Sequence, residues 1–313
     1  MSVLIWRQAR VAIAAAAALL AAFAVVIVAN GLHLHHAYQA GLASCNASGT
    51  CADLQKELFH KEGTVVALIN LTIIGPGIVG AFLGAPLVAR EMEQHTNKLI
   101  WTQAVTRRRW FLTRAAWLGL AAVLWSGAIA ALVTWWSGPL NVLGHQRFWP
   151  GQFDIQGVVP AAYALFAFAL GVTAGVLARR TVIALGVAIA GFVGIRLLVT
   201  TYVRPRFLPP ATAALKPGPH SAYAKQGNWT LGTRPNIQGR AVQGHGHAVP
   251  HLSHAACHLS HFACLAAAGV RQVFTYQPIS RYWTFQGIES GIFLALAAAL
   301  IFISLLSLRR VEG

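Results

Sequence analysis

The sequence predicts an all-α polytopic membrane protein with six transmembrane helices, a polar elbow helix between the second and third, and an external loop and helix region between the fifth and sixth. Three observations carry this. Of the 313 residues, 56% are hydrophobic and 10% charged. Several apolar runs approach the roughly 20 residues that a helix needs to cross a bilayer. The basic residues gather on one set of connections between those runs. A formal charge of +16 raises nucleic acid as a partner, but these residues are scattered beside apolar runs and not collected on a soluble domain, which argues against it.

The first apolar run, Val11 to Asn30, follows a short head carrying Arg7 and Arg10 and reads as span one. A cleaved signal peptide shares this basic head and apolar run, but the run is long for one and further spans follow. His33 to Gly63 reads as a polar loop with Cys45 and Cys51, and Thr64 to Ala89 as span two. Span two contains the Gly75-Pro76-Gly77 break and the Gly80, Gly84 pair. A proline inside a span removes a backbone hydrogen bond and kinks it, while small residues four apart admit a second helix at close range. Helix packing and a moving hinge are both open readings of this stretch.

From Arg90 the chain is polar for about twenty residues before turning apolar again at Trp110. Glu91 and Glu93 lie near the start of this elbow and Arg107, Arg108 and Arg109 at its end, the polarity that suits a helix macrodipole. Met92, Leu99, Ile100 and Val105 supply apolar surface for a partner. Span three is Trp110 to Trp136, with tryptophans near both ends as interface anchors. Ser137 to Gln156 is an outer loop, and span four, Gly157 to Ala178, carries a second small-residue pair at Gly171 and Gly175. The turn at Arg179-Arg180-Thr181 returns the chain into span five, Val182 to about Tyr202; span six is Phe285 to Leu308. The chain thus divides into residues 1–202 with spans one to five and the elbow at 90–106, an external region 203–284, and span six with its tail at 285–313.

Arg7, Arg10, Arg90, Lys98, Arg107 to Arg109, Arg114, Arg179, Arg180, Arg309 and Arg310 all fall on one face, against Lys56, Lys61 and Arg147 in the short loops opposite. The positive-inside rule therefore puts both termini and the elbow in the cytoplasm. The long segment from Val203 to Trp283 is external, and its first part, rich in Pro and Gly, is expected to be irregular.

All four cysteines, Cys45, Cys51, Cys257 and Cys264, fall outside by this topology, and an even number in an oxidising compartment argues for two disulfides. Local pairing requires a broken helix or turn, because residues seven apart on an unbroken helix lie about 10 Å apart along the axis. Otherwise the two loops are cross-linked to each other. His247, His251, His254, His258 and His261 repeat at four, three, four, three, one face of a helix. Such imidazoles suit zinc or copper, with Cys257 and Cys264 as further ligands. The alternative is an exposed polar stripe. Cysteines in disulfides are not thiolate ligands, so the two readings exclude each other there.

Two ionisable residues fall inside spans: Arg196 in the outer part of span five and Glu289 one turn into span six, at similar depth. They are candidates for a pair at a pathway or gate; snorkelling of Arg196 to the interface is the alternative. The sequence contains no phosphate-binding G-x-x-x-x-G-K-[ST], no Gly-x-Ser-x-Gly and no His-Glu-x-x-His, and only eight acidic residues, so an enzyme is not expected.

Gly80-Ala81-Phe82-Leu83-Gly84-Ala85-Pro86-Leu87-Val88-Ala89-Arg90-Glu91, with His95-Thr96, Leu99, Trp101-Thr102-Gln103, Val105-Thr106-Arg107 and Arg109-Trp110, resembles the signature of a permease family of bacterial ABC exporters. Tyr276-Gln277-Pro278, Arg281-Tyr282-Trp283, Phe285-Gln286 and Ile288-Glu289 resemble the approach to that family's last span. The resemblance implies a cell-membrane permease subunit whose elbow is a coupling helix seated on a separate ATPase. Two permease chains work with two ATPase chains, and ATP with magnesium is bound by the partner and not by this chain. It implies Glu91, Glu93, Thr96, Leu99 and Trp101 as ATPase contacts. Arg107 to Arg109 are assigned to lipid phosphates, and Pro76, Gly80, Gly84, Arg196 and Glu289 are pathway or gate candidates. The family often has a glycine where this chain has His95. A metal-handling membrane protein and a sensory or structural membrane subunit are the competing functions.

Overall fold

Of six helices long and apolar enough to cross a membrane, span four is 72% buried in its most apolar stretch, whereas the others are 17–28% buried. Span four is therefore the axis on which the rest are assembled. The computed structural model describes residues 2–48, 52–93, 107–144, 147–215, 227–237, 240–241 and 270–310. Thr96, Leu99, Trp101, Cys51, Cys257, Cys264 and the five spaced histidines His247, His251, His254, His258 and His261 lie outside these. Cys45 lies in a helix, with only its backbone described.

The chain begins with α1 (Ser2–Ser48) and α2 (Ala52–Lys61). The polar loop expected from His33 to Gly63 is thus helical over most of its length, and the first candidate span is Ala17–Leu42, not Val11 to Asn30. Two polar residues at this boundary, Asn30 and His35, have partners on span three. Trp136 donates from Nε1 to the Asn30 side-chain oxygen at 2.7 Å, and His35 stacks on Trp135 with ring centroids 5.0 Å apart. Ile27, Leu34 and Leu58 are buried alongside Trp136 and Leu140.

Span two, Gly63–Arg90, is built from α3 (Gly63–Leu71), a 3-10 turn at Thr72–Ile74, α4 (Gly75–Gly84) and α5 (Pro86–Glu93). The expected break is present: Pro76 sits in the first turn of α4, where a missing N–H costs least. α6 (Arg107–Trp136) follows. Arg107, Arg108 and Arg109 lie in the helix of span three, and residues 94–106 of the expected elbow before them lie outside the described residues.

α7 (Gly138–Gly144) and the single turn α8 (Pro150–Phe153) lead to α9 (Val159–Ala178), which is span four. Arg179 takes the left-handed conformation, φ 55°, and ends it. Span five, Thr181–Arg206, consists of α10 (Thr181–Leu198), a π-turn at Val199–Val203 and a 3-10 turn at Arg204–Arg206. The region between spans five and six contains β1 (Ala211–Leu215), β2 (Trp229–Ile237), β3 (Arg240–Ala241) and β4 (Val270–Gln277) in an antiparallel sheet ordered β1-β4-β2-β3. Irregular structure was the expectation at Ala211–Leu215, and a strand forms instead. The β-branched and aromatic side chains of β4, Val270, Val273, Phe274, Thr275 and Tyr276, suit a pleated half-buried surface and give β1 a partner. The sheet leads straight into α11 (Tyr282–Arg310), the helix of span six.

α9 packs against spans two, three, five and six. Its contact with span two is made by interlocked glycines. A Cβ on Gly171 would lie 2.7 Å from the Ala85 nitrogen, and one on Gly175 would lie 2.7 Å from the Ala85 oxygen. From the other side, a Cβ on Gly80 would meet Ala167 Cβ and Phe168 N at 2.7 Å, and one on Gly84 would meet the Phe168 carbonyl. The two backbones touch where only glycine fits. Hydroxyls complete the joints: Ser126 of α6 donates to the Pro160 carbonyl at 2.9 Å, and Thr173 of α9 donates to the Leu300 carbonyl of α11 at 3.1 Å.

Gly171→Ala is expected to destabilise the protein by about 1–3 kcal/mol, since the clash is with backbone that has to shift. Gly127→Ala, with nothing within 4 Å, is expected to be neutral or stabilising by up to about 1 kcal/mol. Thermal unfolding in detergent separates the two.

Candidate functional site

Five polar side chains converge in the apolar interior near the sheet end of the bundle. Each is positioned by a local feature of the chain. Asp154 terminates α8, its backbone N–H bonded to the Pro150 carbonyl at 3.2 Å. The chain then turns at Gly157, φ 76°, where a Cβ would lie 2.7 Å from Gln286 Oε1. That same oxygen accepts the Val158 and Val159 N–H groups at 3.0 Å, capping α9 from span six. Gln286 Nε2 donates to the carbonyls of Phe153 and Gln156, both at 3.1 Å. Gln286 thus holds the Asp154 turn over the helix ends. Tyr163 lies one turn into α9.

Arg196 is on α10, and the π-turn brings Arg204 onto nearly the same face. An uninterrupted α-helix would leave residue 204 about 80° away from residue 196, and the wider turn absorbs most of that rotation. Glu289 comes from α11. Exposure is 4% for Asp154, 0% for Tyr163, 8% for Arg196, 1% for Arg204 and 0% for Glu289.

Arg204 is the centre. Its Nε donates to Glu289 Oε2 at 2.6 Å and its Nη2 to Glu289 Oε1 at 2.7 Å, and Nη2 also reaches Asp154 Oδ1. Arg196 donates from Nη2 to Asp154 Oδ2 at 2.7 Å and from Nη1 to the Ile73 carbonyl at 2.6 Å. Tyr163 accepts from Arg204 Nη2 at 3.1 Å and bonds to the Glu289 carboxylate. Phe153 covers the Arg204 guanidinium 4.5 Å from its ring centre. The cluster holds two carboxylates and two guanidiniums and is formally neutral. It links span two, the loop before span four, and spans four, five and six.

Arg196 and Glu289 therefore share a cluster but do not pair; Asp154 and Arg204 stand between them. At 8% exposure, Arg196 does not snorkel to the interface. The sequence reading missed Asp154, placed in a loop, and Arg204, placed beyond span five. The available signal was scarcity: these are two of the few charges near the apolar runs on the side opposite the basic face, and Asp154 and Glu289 are among only eight acidic residues.

The other candidates are dispersed. Pro76 lines a small cleft with Thr72, Trp125, Ser126 and Pro160, while Gly80 and Gly84 are packed on span four. At the opposite end of the bundle, Glu93 Oε1 accepts the Thr181 N–H at 3.0 Å and Oε2 accepts its hydroxyl at 2.7 Å. These bonds hold the Glu93 carboxyl below its ordinary pKa, so the contact is strongest above the carboxylate range and is lost as pH falls through it. Glu91 lies on α5, with only its backbone described.

Residues 17–204, more than half of the chain, match the family described as ABC-2 membrane transporter related. The chain belongs to that family. It is a multi-pass membrane protein of the permease type found in ABC transporters, and the match includes Asp154, Tyr163, Arg196 and Arg204, while Glu289 lies beyond it. No curated protein and no solved structure matches the chain.

Removing one member of a buried ion pair strands the other. Arg204→Met is expected to destabilise the fold by about 3–5 kcal/mol, and adding Glu289→Gln, which leaves Arg196 paired with Asp154, to recover part of the loss. Unfolding midpoints of the single and double variants in the same detergent test this. A single variant as stable as the parent would contradict the assigned geometry.

Proposed function

We propose that this chain, paired with a second permease chain, forms the membrane path of an ATP-driven exporter for an apolar or amphipathic substrate. A separate ATPase seats on the 90–106 elbow and drives it. Family membership supports the transporter class, and one structural observation supports the working arrangement. The buried charge cluster joins spans two, four, five and six at the end opposite the elbow, where an alternating-access path has to close.

In this reading the cytoplasmic face is the one carrying the elbow, the Arg179-Arg180 turn and both termini, and the membrane is the bacterial cell membrane. Glu91, Thr96, Leu99 and Trp101 contact the ATPase. Nucleotide binding draws the elbows together, and the helices that tilt in response carry Arg196, Arg204 and Glu289 with them. The cluster is the outer gate. Its charges satisfy one another when the gate is closed. Opening exchanges those contacts for water, which keeps the buried-charge penalty from being met by lipid.

The chain purified in mild detergent from its native cells is expected to bring a stoichiometric ATPase. The Glu91→Ala, Leu99→Ala double variant is expected to lose at least about tenfold of that partner, the change produced by roughly 1.4 kcal/mol of binding free energy. Mass spectrometry of the purified material measures this. A chain that carries no ATPase even after cross-linking would overturn the reading.

A further inference from the structure

Glu93 belongs to the stretch assigned to the ATPase, yet its carboxylate is used within the chain. Both oxygens engage Thr181, the first residue of α10, one through the backbone N–H at 3.0 Å and the other through the hydroxyl at 2.7 Å. Arg180, the residue at the cap position, is extended, φ −134° and ψ 122°, and its own side chain makes no cap bond. A helix start leaves N–H groups without intrahelical partners and carries partial positive charge. Glu93 supplies both the acceptor and the opposite charge from a different helix.

The neighbourhood leaves little slack. Only Arg179 and Arg180 separate α9 from α10. Span two is locked to span four by the Gly171 and Gly175 contacts at Ala85, about two turns from Glu93. The end of span two, the end of span four and the start of span five are thereby one mechanical unit.

Span five also meets span two at its far end, where Arg196 donates to the Ile73 carbonyl at 2.6 Å, inside the 3-10 break. Thr181 and Arg196 are fifteen residues apart on one unbroken helix, about 22 Å. Span five is fastened to span two at both ends, with the Pro76 break next to the upper fastening.

We propose that Glu93 is a positioning residue that clamps span five to the root of the elbow, so that movement of the elbow is delivered along span five to Arg196 and Arg204. This rests on the transporter reading above. The bland alternative is a surface cap that adds stability and transmits nothing, which exposed contacts often do.

The test uses the complete complex with its ATPase in lipid nanodiscs, with the four native cysteines replaced by serine. Spin labels are placed at Tyr202→Cys and Trp149→Cys, both exposed at the cluster end. Their distance is measured without nucleotide and with ATP and vanadate, alongside ATP hydrolysis. Nucleotide is expected to shift the distance when Glu93 is present. Glu93→Ala is expected to reduce the shifted population about fivefold, on the scale of losing one helix cap, while ATP hydrolysis continues. Glu93→Gln keeps an acceptor for the Thr181 N–H and is expected to retain most of the shift. Thr181→Val is expected to fall between, and combined with Glu93→Ala to be no worse than Glu93→Ala alone.

A full nucleotide-driven shift in Glu93→Ala, or additive effects of the Glu93 and Thr181 changes, overturns the proposal. So does equal loss in Glu93→Ala and Glu93→Gln. A Glu93-containing complex that hydrolyses no ATP instead overturns the transporter reading, so the two failures are distinguishable.

Discussion

Arg204 lies 1% exposed between Glu289 and Asp154, and none of the three has water to fall back on. A buried guanidinium persists in an apolar interior only if its charge is met there, and here Nε and Nη2 are bonded while Nη1 has no hydrogen-bond partner among the described residues. Meeting that charge requires the π-turn that rotates Arg204 inward, the α8 turn that lowers Asp154 into the bundle, and the Gln286 side chain that holds that turn in place. The ends of spans four, five and six are therefore arranged around a single cation. The sheet between spans five and six adds Trp229 to this end of the bundle, where it packs with Phe148, Tyr282 and Phe285 in one buried cluster.

The rest of the bundle divides into a rigid part and a deformable one. Spans two and four touch backbone to backbone through glycines along α4 and α5, a contact that does not slide without clashes. Above it, span two changes from α-helix to 3-10 at Thr72–Ile74 and restarts at Gly75 with Pro76 in its first turn. Arg196 reaches this break from span five and donates to the Ile73 carbonyl inside the 3-10 turn. The 3-10 turn of span two is thus tied to the charge cluster through Arg196.

Spans two to six were legible because their apolar runs have the length of a bilayer crossing, and the boundaries read from them agree with the helices to within a few residues, apart from Phe285 at the start of span six, where the helix begins earlier. Span one was read short, because Asn30, His33, His35 and His36 look like loop residues until Trp135 and Trp136 are seen to partner two of them. Gly171 and Gly175 advertised a helix contact correctly, since small residues four apart have few other uses in a span. The charge cluster was half legible. Arg196 and Glu289 stand out against apolar neighbours, whereas Asp154 and Arg204 lie just outside the apolar runs and are brought in by a helical turn and a π-turn that no periodicity reveals. Glu93 ends the described helix of span two, and its bond to Thr181, which joins residues 88 apart in sequence, had no local signal.

The central claim is that the charge cluster is a gate opened from the opposite face of the membrane. The most direct measurement is hydrogen–deuterium exchange of the complete transporter in nanodiscs, with and without ATP and vanadate, read at the peptides that cover residues 150–159 and 196–206. The account predicts faster exchange in these two segments when nucleotide is bound, with the glycine-locked halves of spans two and four unchanged. Exchange at the cluster that is indifferent to nucleotide, while the ATPase is demonstrably engaged, would contradict it.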